Sequence, residues 1–463
     1  MRATFWLVSG QVALCVDVGS TFTKACAVDL LTGALLGTAE HPTTIDSDVM
    51  AGISAVRAAT PAGAALPVEM LVCSSAGGGL RLAVVGYERL ISAEAGQRAA
   101  LSAGARVVHV SSGRLDRGGV AELREVSPDV VLLVGGTDGG EASVLLHNSR
   151  VLASAGLGIP VVVAGNAAVR EKVCAVLASR GVTVVPTANV LPDIGTLDPA
   201  PARAAIRSVF LDHVIGGKAL SADPDFAGLV RAVTPDAVMD GVTVLAELMR
   251  TDRRRTSSGS VVVVDVGGAT TDVYCVLSPD AEQAVLGREA VGVPSHRRTV
   301  EGDLGLRFSA DALLGAAVGE RLLSESEAAS LSAWVAARGD NAQPPVSEQD
   351  RANERRLAGL AVVIALRRHV RAEAAYGVVG SAGASARSAS TVILSGGAIR
   401  HASDAERAEL IASVLDDRGG ARSVLLGAEV RCDLRYVLAA AGLLAKDFPA
   451  GARGVLRAGG LID

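Results

Sequence analysis

The sequence predicts an α/β protein, and three observations predict it. Four consecutive valines, Val261 to Val264, run into Asp265-Val-Gly267-Gly268-Ala-Thr270-Thr271-Asp272 before a second β-rich segment begins. β-branched residues in an apolar run of that length make a buried strand. Near the start of the chain the same order recurs in Leu14-Cys-Val-Asp17-Val-Gly19-Ser20-Thr21-Phe-Thr23-Lys24. Between the two, from about residue 75 to 220, strands, Gly-containing turns and amphipathic helices alternate, as in a parallel, doubly wound sheet with right-handed crossovers.

Each Asp-x-Gly stretch reads as a hairpin whose turn can hold an anion. Gly19, Gly267 and Gly268 let backbone N–H groups approach a phosphate closely, and Ser20, Thr21, Thr270 and Thr271 add hydroxyl donors. Asp17 and Asp265 are the carboxylates that can hold a hydrated Mg²⁺ beside those phosphates. Lys24 is either a phosphate ligand or a solvated strand-end lysine, and Asp272 either orients the turn or the attacking water. Alone, one such turn is better read as an acidic surface turn; the second copy is what points to two half-domains gripping one nucleotide.

A third element, Thr391-Val-Ile-Leu-Ser395-Gly396-Gly397-Ala398, is an apolar strand entering a Gly-Gly turn, followed by a helical pattern over Asp404 to Leu415. In this order the three elements resemble the two phosphate motifs and the adenosine motif of the actin-like ATPase superfamily. Within it the chain resembles the accessory, or reactivating, proteins of adenosylcobalamin-dependent glutamate mutase, the MutL-type family. The resemblance rests on Asp17 to Lys24, Val134 to Gly140, Asn189 to Gly195, Asp265 to Asp272, Thr299 to Arg307 and Leu394 to Gly397, and spans nearly the whole chain. It implies two RNase-H-like lobes: residues 1–74 completed by a C-terminal helix at 434–446, and residues 221–463, with an α/β module inserted at 75–220. It also implies Mg²⁺-ATP as cofactor, with Gly396 and Gly397 bordering the adenosine, and mutase subunits as partners.

Composition narrows the function classes. At 463 residues, and roughly 150 residues per domain, about three folding units are expected, each able to bury its own core. With 49% hydrophobic but only 3% aromatic residues, those cores must be built from Ala, Val and Leu. The net charge of −5 offers no positive field for a nucleic acid. Four lysines against forty arginines reflect GC-rich coding and not phosphate recognition. Six cysteines stand singly in or beside apolar segments with no zinc spacing, as reduced core residues of a cytoplasmic protein do. Arg2 to Cys15 superficially resembles a secretory leader, but cleavage would remove the strand presenting Asp17, so Met1 to Gly10 reads as a short extension. No uncharged apolar run approaches ~20 residues, so no membrane span is expected.

In order along the chain, Gln11 to Val28 forms the first hairpin, Gly33 to Thr38 a third strand, Ile45 to Ala59 a helix and Val68 to Cys73 a strand. The alternating segment gives strands at Arg81 to Val85, Arg106 to Val110, Asp129 to Val134, Pro160 to Ala164 and Val182 to Val185. Helices follow at Arg89 to Ala103, through His147, at Ala167 to Arg180 and at Pro201 to Ile215. Gly135 to Gly140 lies where open α/β sheets place ligands, yet lacks a full dinucleotide fingerprint. It is a second ligand loop or merely a tight βα turn. His109, His147 and His213 read as packed or surface histidines. Thr234 is expected to N-cap a helix running to Arg250, with Pro235 at its first position, before a polar linker from Thr251 to Gly259. Thr299 to Gly305, with Glu301 and Asp303, either closes over the metal or contacts a partner, or is a surface turn before a helix at Ser309. Ser324 to Ala337 and Glu354 to Glu373 show helical periodicity, whereas Asn341 to Asp350 and Gly377 to Ser388 read as loops. Leu434 to Leu444 is an Ala-rich helix in which Gly442 permits close packing, and the resemblance puts it at a hinge.

Two Asp-x-Gly turns facing each other would polarise a γ-phosphate, leaving hydrolysis to a positioned water. The resulting expectation is a slow accessory ATPase that reactivates a mutase by expelling damaged cobalamin, itself not a mutase. A small-molecule kinase on the same scaffold would need a carboxylate base for a substrate hydroxyl, which the sequence does not identify. A filament-forming scaffold and a homo-oligomer stay open.

Overall fold

The computed structural model describes residues 12–60, 69–76, 80–87, 106–194, 198–210, 225–252, 260–277, 296–338, 347–375, 386–417 and 428–463, with positions 96, 100, 196, 220, 221, 223, 345 and 425. The extension Met1 to Gly10, most of the helix expected over Arg89 to Ala103, His213, Arg253 to Arg255 and most of the expected loops at 341–350 and 377–388 lie outside them. Contacts divide the chain into two units, one of residues 1–76, 221–284 and 299–463, the other of residues 77–220 with 285–298.

The first unit is built on two five-stranded sheets of the same design. One holds β1 (Val12–Val18), β2 (Phe22–Asp29), β3 (Leu35–Pro42), β4 (Glu69–Ser74) and β10 (Val230–Val233), in the order β10-β4-β1-β2-β3. The other holds β11 (Val261–Val266), β12 (Thr271–Val276), β13 (His296–Glu301, whose first three residues fall in the 285–298 segment), β14 (Thr391–Gly396) and β15 (Glu429–Cys432), in the order β15-β14-β11-β12-β13. In each, the first strand pairs antiparallel with the second and parallel with the fourth, which is parallel to the fifth. This is the strand order of an RNase-H-like lobe, occurring twice. The register matches as well: Asp17 stands opposite Lys24 and Cys73, and Asp265 opposite Asp272 and Ser395.

One helix from each half packs between these sheets. Thr234–Thr251 follows β10, and Val437–Ala445 follows β15. The second is apolar all round, as a helix with no solvent face must be. They cross at glycines: a Cβ on Gly442 would lie 1.7 Å from the Ala237 carbonyl oxygen, and one on Gly241 would lie 2.0 Å from that of Leu438. A single apolar cluster runs from Cys15 and Leu71 through Val242, Leu245, Leu438 and Leu444 to Val263 and Tyr274.

The second unit carries an all-parallel sheet of β5 (Arg81–Gly86), β6 (Arg106–Ser112), β7 (Val130–Leu133), β8 (Val161–Val163) and β9 (Val184–Pro186), ordered β6-β5-β7-β8-β9. Helices Arg117–Val126, Ser143–Ala155, Arg170–Ala178 and Ala200–Val209 accompany it.

Several local expectations need correction. Thr234 does not cap its helix; Val233 holds the N-cap position without a side-chain bond, because the Thr234 hydroxyl is turned to Asp17 at 2.6 Å. The helix expected over Ala167 to Arg180 begins as a 3₁₀ turn, Ala167–Val169, with Asn166 capping it. The long helix starts at Glu348, inside the expected loop, since the Ser347 hydroxyl accepts from the Asp350 N–H at 3.1 Å and donates to its carboxylate at 2.6 Å. Among the described residues no helix is long and apolar enough to cross a membrane.

Candidate functional site

The two Asp-x-Gly turns meet. A Cβ on Gly268 would lie 3.0 Å from Cγ2 and 3.6 Å from Oγ1 of Thr21, so glycine is what lets the second turn come this close to the first. Each turn is closed by one backbone bond, Gly19 N–H to the Phe22 carbonyl at 3.1 Å and Gly267 N–H to the Thr270 carbonyl at 2.9 Å. The first is braced by Thr43, whose hydroxyl donates to the Gly19 carbonyl at 2.8 Å. The second is braced by the segment Leu306 to Phe308, whose N–H groups donate to the carbonyls of Gly267 and Gly268 at 2.9–3.1 Å.

Between the turns lies a cleft of about 320 Å³, within the range of small-molecule sites. Thr21, Lys24 and Glu40 line it from the first half, and Asp265, Gly267, Gly268, Gly396 and Gly397 from the second. Gly396 has φ +127, and a Cβ there would strike the Val266 carbonyl oxygen at 2.2 Å; only glycine makes this turn. Asp17 sits behind Lys24, its carboxylate 3.8 Å from Nζ and bonded by the Thr234 hydroxyl.

Not every expected ligand faces the cleft. The Thr271 hydroxyl is fully buried and donates to the Leu304 carbonyl at 2.7 Å: it anchors the turn and is not a phosphate donor. The Thr270 hydroxyl donates to Asp272 at 3.1 Å, giving Asp272 a role within the turn. Asp17, Gly19, Ser20, Thr270 and Asp272 lie in or beside the turns but not on the cleft wall.

The electrostatics centre on Lys24. Burial works to discharge it, but the phenol of Tyr436 and the carboxylates of Asp17 and Asp265 hold its ammonium well above its ordinary pKa. Asp265 is pushed up by burial, with Asp272 and Asp17 adding to the shift, while Lys24 and a hydrogen bond from Ser395 pull it back. One lysine thus offsets part of the repulsion between two acids.

Tyr436, His401 and Arg355 also line the cleft, with Arg400 beside Tyr436, but carried no motif signal, whereas Arg307 ends the Thr299 to Arg307 stretch read from the sequence. Tyr436 stacks under two cations, Lys24 Nζ at 4.1 Å and the Arg400 guanidinium at 4.7 Å from the ring centroid, each a cation–π contact. Arg400 and His401 reach across to Glu40 at 2.6 and 3.3 Å, tying the halves at the cleft mouth. Arg307, Arg351, Glu354 and Arg355 form another wall. Arg307 pairs with Glu354 at 3.2 Å, and Arg355 with Glu406 at 2.5 Å. A periodic signal marked the long helix that carries three of them, but nothing in the pattern separates a cleft arginine from a surface one.

Glu301 and Asp303 are not cleft groups. Both bind Arg368, at 2.8 and 2.7 Å, so this stretch buttresses the second turn. In the second unit the loop Gly135 to Gly140 is held by side chains of its neighbours. Buried Asn166 accepts from the Gly139 N–H and donates to the Gly140 and Glu141 carbonyls, and Asn189 donates to Gly136 and Asp138. The following helix N-terminus, where an anion would bind, already receives the Glu141 carboxylate through the Ser143 N–H at 2.7 Å. His147 bonds the Leu115 carbonyl at 3.0 Å, a packing role.

A family model described as MutL protein matches residues 13–458. Protein MutL of Clostridium tetanomorphum is 36% identical over 451 residues, covering 94% of this chain and 96% of that one. Among solved structures, the activator of 2-hydroxyisocaproyl-CoA dehydratase from Clostridium difficile with bound ADPNP is 11% identical with a TM-score of 0.31, covering 95% of each chain. The ROK hexokinase from Thermus thermophilus is 13% identical with a TM-score of 0.29, covering 96% of this chain and 97% of that one. Scores this low leave the assignment to the family match and to the chain's own geometry.

Proposed function

The chain belongs to the MutL protein family, and from that premise we propose that it is an ATP-dependent accessory protein of an adenosylcobalamin-dependent mutase, of the glutamate (methylaspartate) mutase class. On this reading it couples ATP binding and slow hydrolysis to release of damaged cobalamin from its partner. The observation that supports it most is the cleft walled by both Asp-x-Gly turns and by the Gly396-Gly397 turn, with one lysine between two carboxylates. A triphosphate there would meet backbone N–H groups of both turns, Thr21 and Lys24, with Arg355 and Gly397 toward the base.

The donor set fits a magnesium ion. Asp17 and Asp265 offer hard oxygen donors, and burial leaves Asp265 wanting a compensating cation. Bound there through water, Mg²⁺ would neutralise charge developing on the phosphates. The chain's own part is to orient the triphosphate between the turns and to keep both halves on it, with Glu40 and Arg400 closing the mouth. Opening and closing would pivot on the crossed helices at Gly241 and Gly442, turning nucleotide state into shape change.

The kinase alternative is less well supported. Among the described residues lining the cleft, Glu40 is engaged by Arg400 and His401, and Glu354 by Arg307, so no carboxylate besides Asp265 is at liberty to take a substrate proton. The test is to add the purified chain and Mg²⁺-ATP to glutamate mutase inactivated with cyanocobalamin, and to supply adenosylcobalamin. Recovery of mutase activity with ATP, and not without it, is expected. No recovery, together with stoichiometric phosphorylation of an added sugar or carboxylic acid, would turn the assignment to the kinase.

A further inference from the structure

Behind the second turn, Cys275 of β12 and His369 and Glu373 of the helix Glu348–Ala375 converge in the core with their ligand atoms all within 4.8 Å of one another. We propose that these three side chains form a binding site for a divalent transition-metal ion of the zinc class. Thiolate, imidazole and carboxylate are the three donors zinc takes, and they come from two elements, His and Glu at i and i+4 on one helix face and Cys from the neighbouring strand.

Their burial is the first argument. Cys275, His369 and Glu373 are 1%, 1% and 3% exposed. Three groups of metal-ligating type thus meet at one point of the core, out of reach of bulk solvent. The second is that the His369 Nε2 atom, fully buried, makes no hydrogen bond. It stands 3.5 Å from Glu373 Oε1, at the outer limit of an N–H···O bond. That spacing is close to the roughly 3.3 Å that separates N and O donors about 2.05 Å from a tetrahedral ion.

The surrounding bonds orient the set as outer partners of a metal ligand do. The Thr299 hydroxyl lies 2.9 Å from His369 Nδ1; as acceptor it fixes the tautomer that presents the Nε2 lone pair to the cluster. The Ala386 N–H donates to both oxygens of Glu373 at 3.1 Å, holding the carboxylate in place. Three protein donors leave the fourth position to a solvent molecule. Binding requires the Cys275 thiol to lose its proton to solvent, so affinity falls in acid. An ion here would tie β12, which leaves the second Asp-x-Gly turn, to the helix carrying Glu354 and Arg355.

The experiment uses the full chain, tag removed, purified without chelator. Metal is quantified by inductively coupled plasma mass spectrometry before and after incubation with Zn²⁺, and the metal-stripped chain is titrated with Co²⁺. About one metal per chain, and a thiolate-to-cobalt charge-transfer band that Zn²⁺ abolishes, are expected. Cys275→Ser should remove the band, and His369→Gln should weaken Co²⁺ binding by roughly tenfold or more. Wild-type chain that stays metal-free after incubation with Zn²⁺, or takes up Co²⁺ without a thiolate band, would overturn the proposal. The cluster would then be a buried hydrogen-bonding group. The wild-type spectra decide the matter even if a variant fails to fold.

Discussion

The two halves of the first unit share a frame and differ in charge. At the position opposite the register-matched aspartate, the first half carries Lys24 and the second carries Asp272. Asp17 therefore has a cation and the Thr234 hydroxyl beside it. Asp265 has a second acid in its own hairpin, a raised pKa from burial, and borrows Lys24 from across the cleft. Duplicated sheets supply the geometry twice, but the electrostatics close only when both are together. The second half without the first would hold an uncompensated partly buried carboxylate, which is a physical reason for the cleft to be shared.

The largest effect should come from breaking the crossing that holds the halves in place. Gly442→Val drives two methyls into the Ala237 carbonyl and should cost about 3 kcal/mol or more in urea denaturation; Gly241→Val should match it, and a cost below ~1 kcal/mol would mean the helices can separate freely. Next, Asp265→Asn should weaken Mg²⁺-ATP binding by about 100-fold in calorimetry, the range for losing charge-assisted contacts, while raising the Tm of the nucleotide-free chain. The sign follows from its raised pKa: the protonated form is favoured in the fold, so the penalty is absent below the ordinary carboxylate value of about 4 and grows as pH rises through the shifted one. The Tm gain of the variant should therefore vanish in acid and persist at neutral pH. Asp17→Asn should weaken ATP without that gain, sharpening the contrast between halves.

Lys24→Met should lower ATP affinity by about tenfold and lower the Tm. Because its pKa is raised, Lys24 stays charged below the ordinary lysine value of about 10.4, and its contribution is lost only above that. Affinity measured from about pH 6 to 9 should show no step attributable to it. The smallest change is expected from Glu40→Gln, which removes the bridge to Arg400 and should speed nucleotide release a few-fold, worth about 0.5–1 kcal/mol, in stopped-flow with a fluorescent analogue.

The apolar strands, the glycines and the order of the turns were legible because each rests on local physics: a valine run, a φ only glycine adopts, an aspartate at a strand end. Gly442 was readable for the same reason, since one glycine in an Ala-rich helix marks close approach. What was hidden depends on partners distant in sequence. Thr234 looks like a cap until Asp17 claims its hydroxyl, and Thr271 looks like a phosphate donor until Leu304 takes it. Tyr436 and Arg400 have no motif because a cation–π stack has no spacing in sequence. The short strands β10 and β15, Val-Arg-Ala-Val and Glu-Val-Arg-Cys, mix charges into four residues and carry too little pattern to be seen. The Cys275, His369 and Glu373 cluster escaped a search for zinc spacing because its cysteine lies far from the helix in the chain.

The most direct test of the shared cleft is isothermal calorimetry of Mg²⁺-ATP on the wild-type chain and on Asp17→Asn and Asp265→Asn. One nucleotide per chain, with affinity reduced at least tenfold by either substitution, is the predicted result. Two sites per chain, or one substitution leaving affinity unchanged, would contradict it.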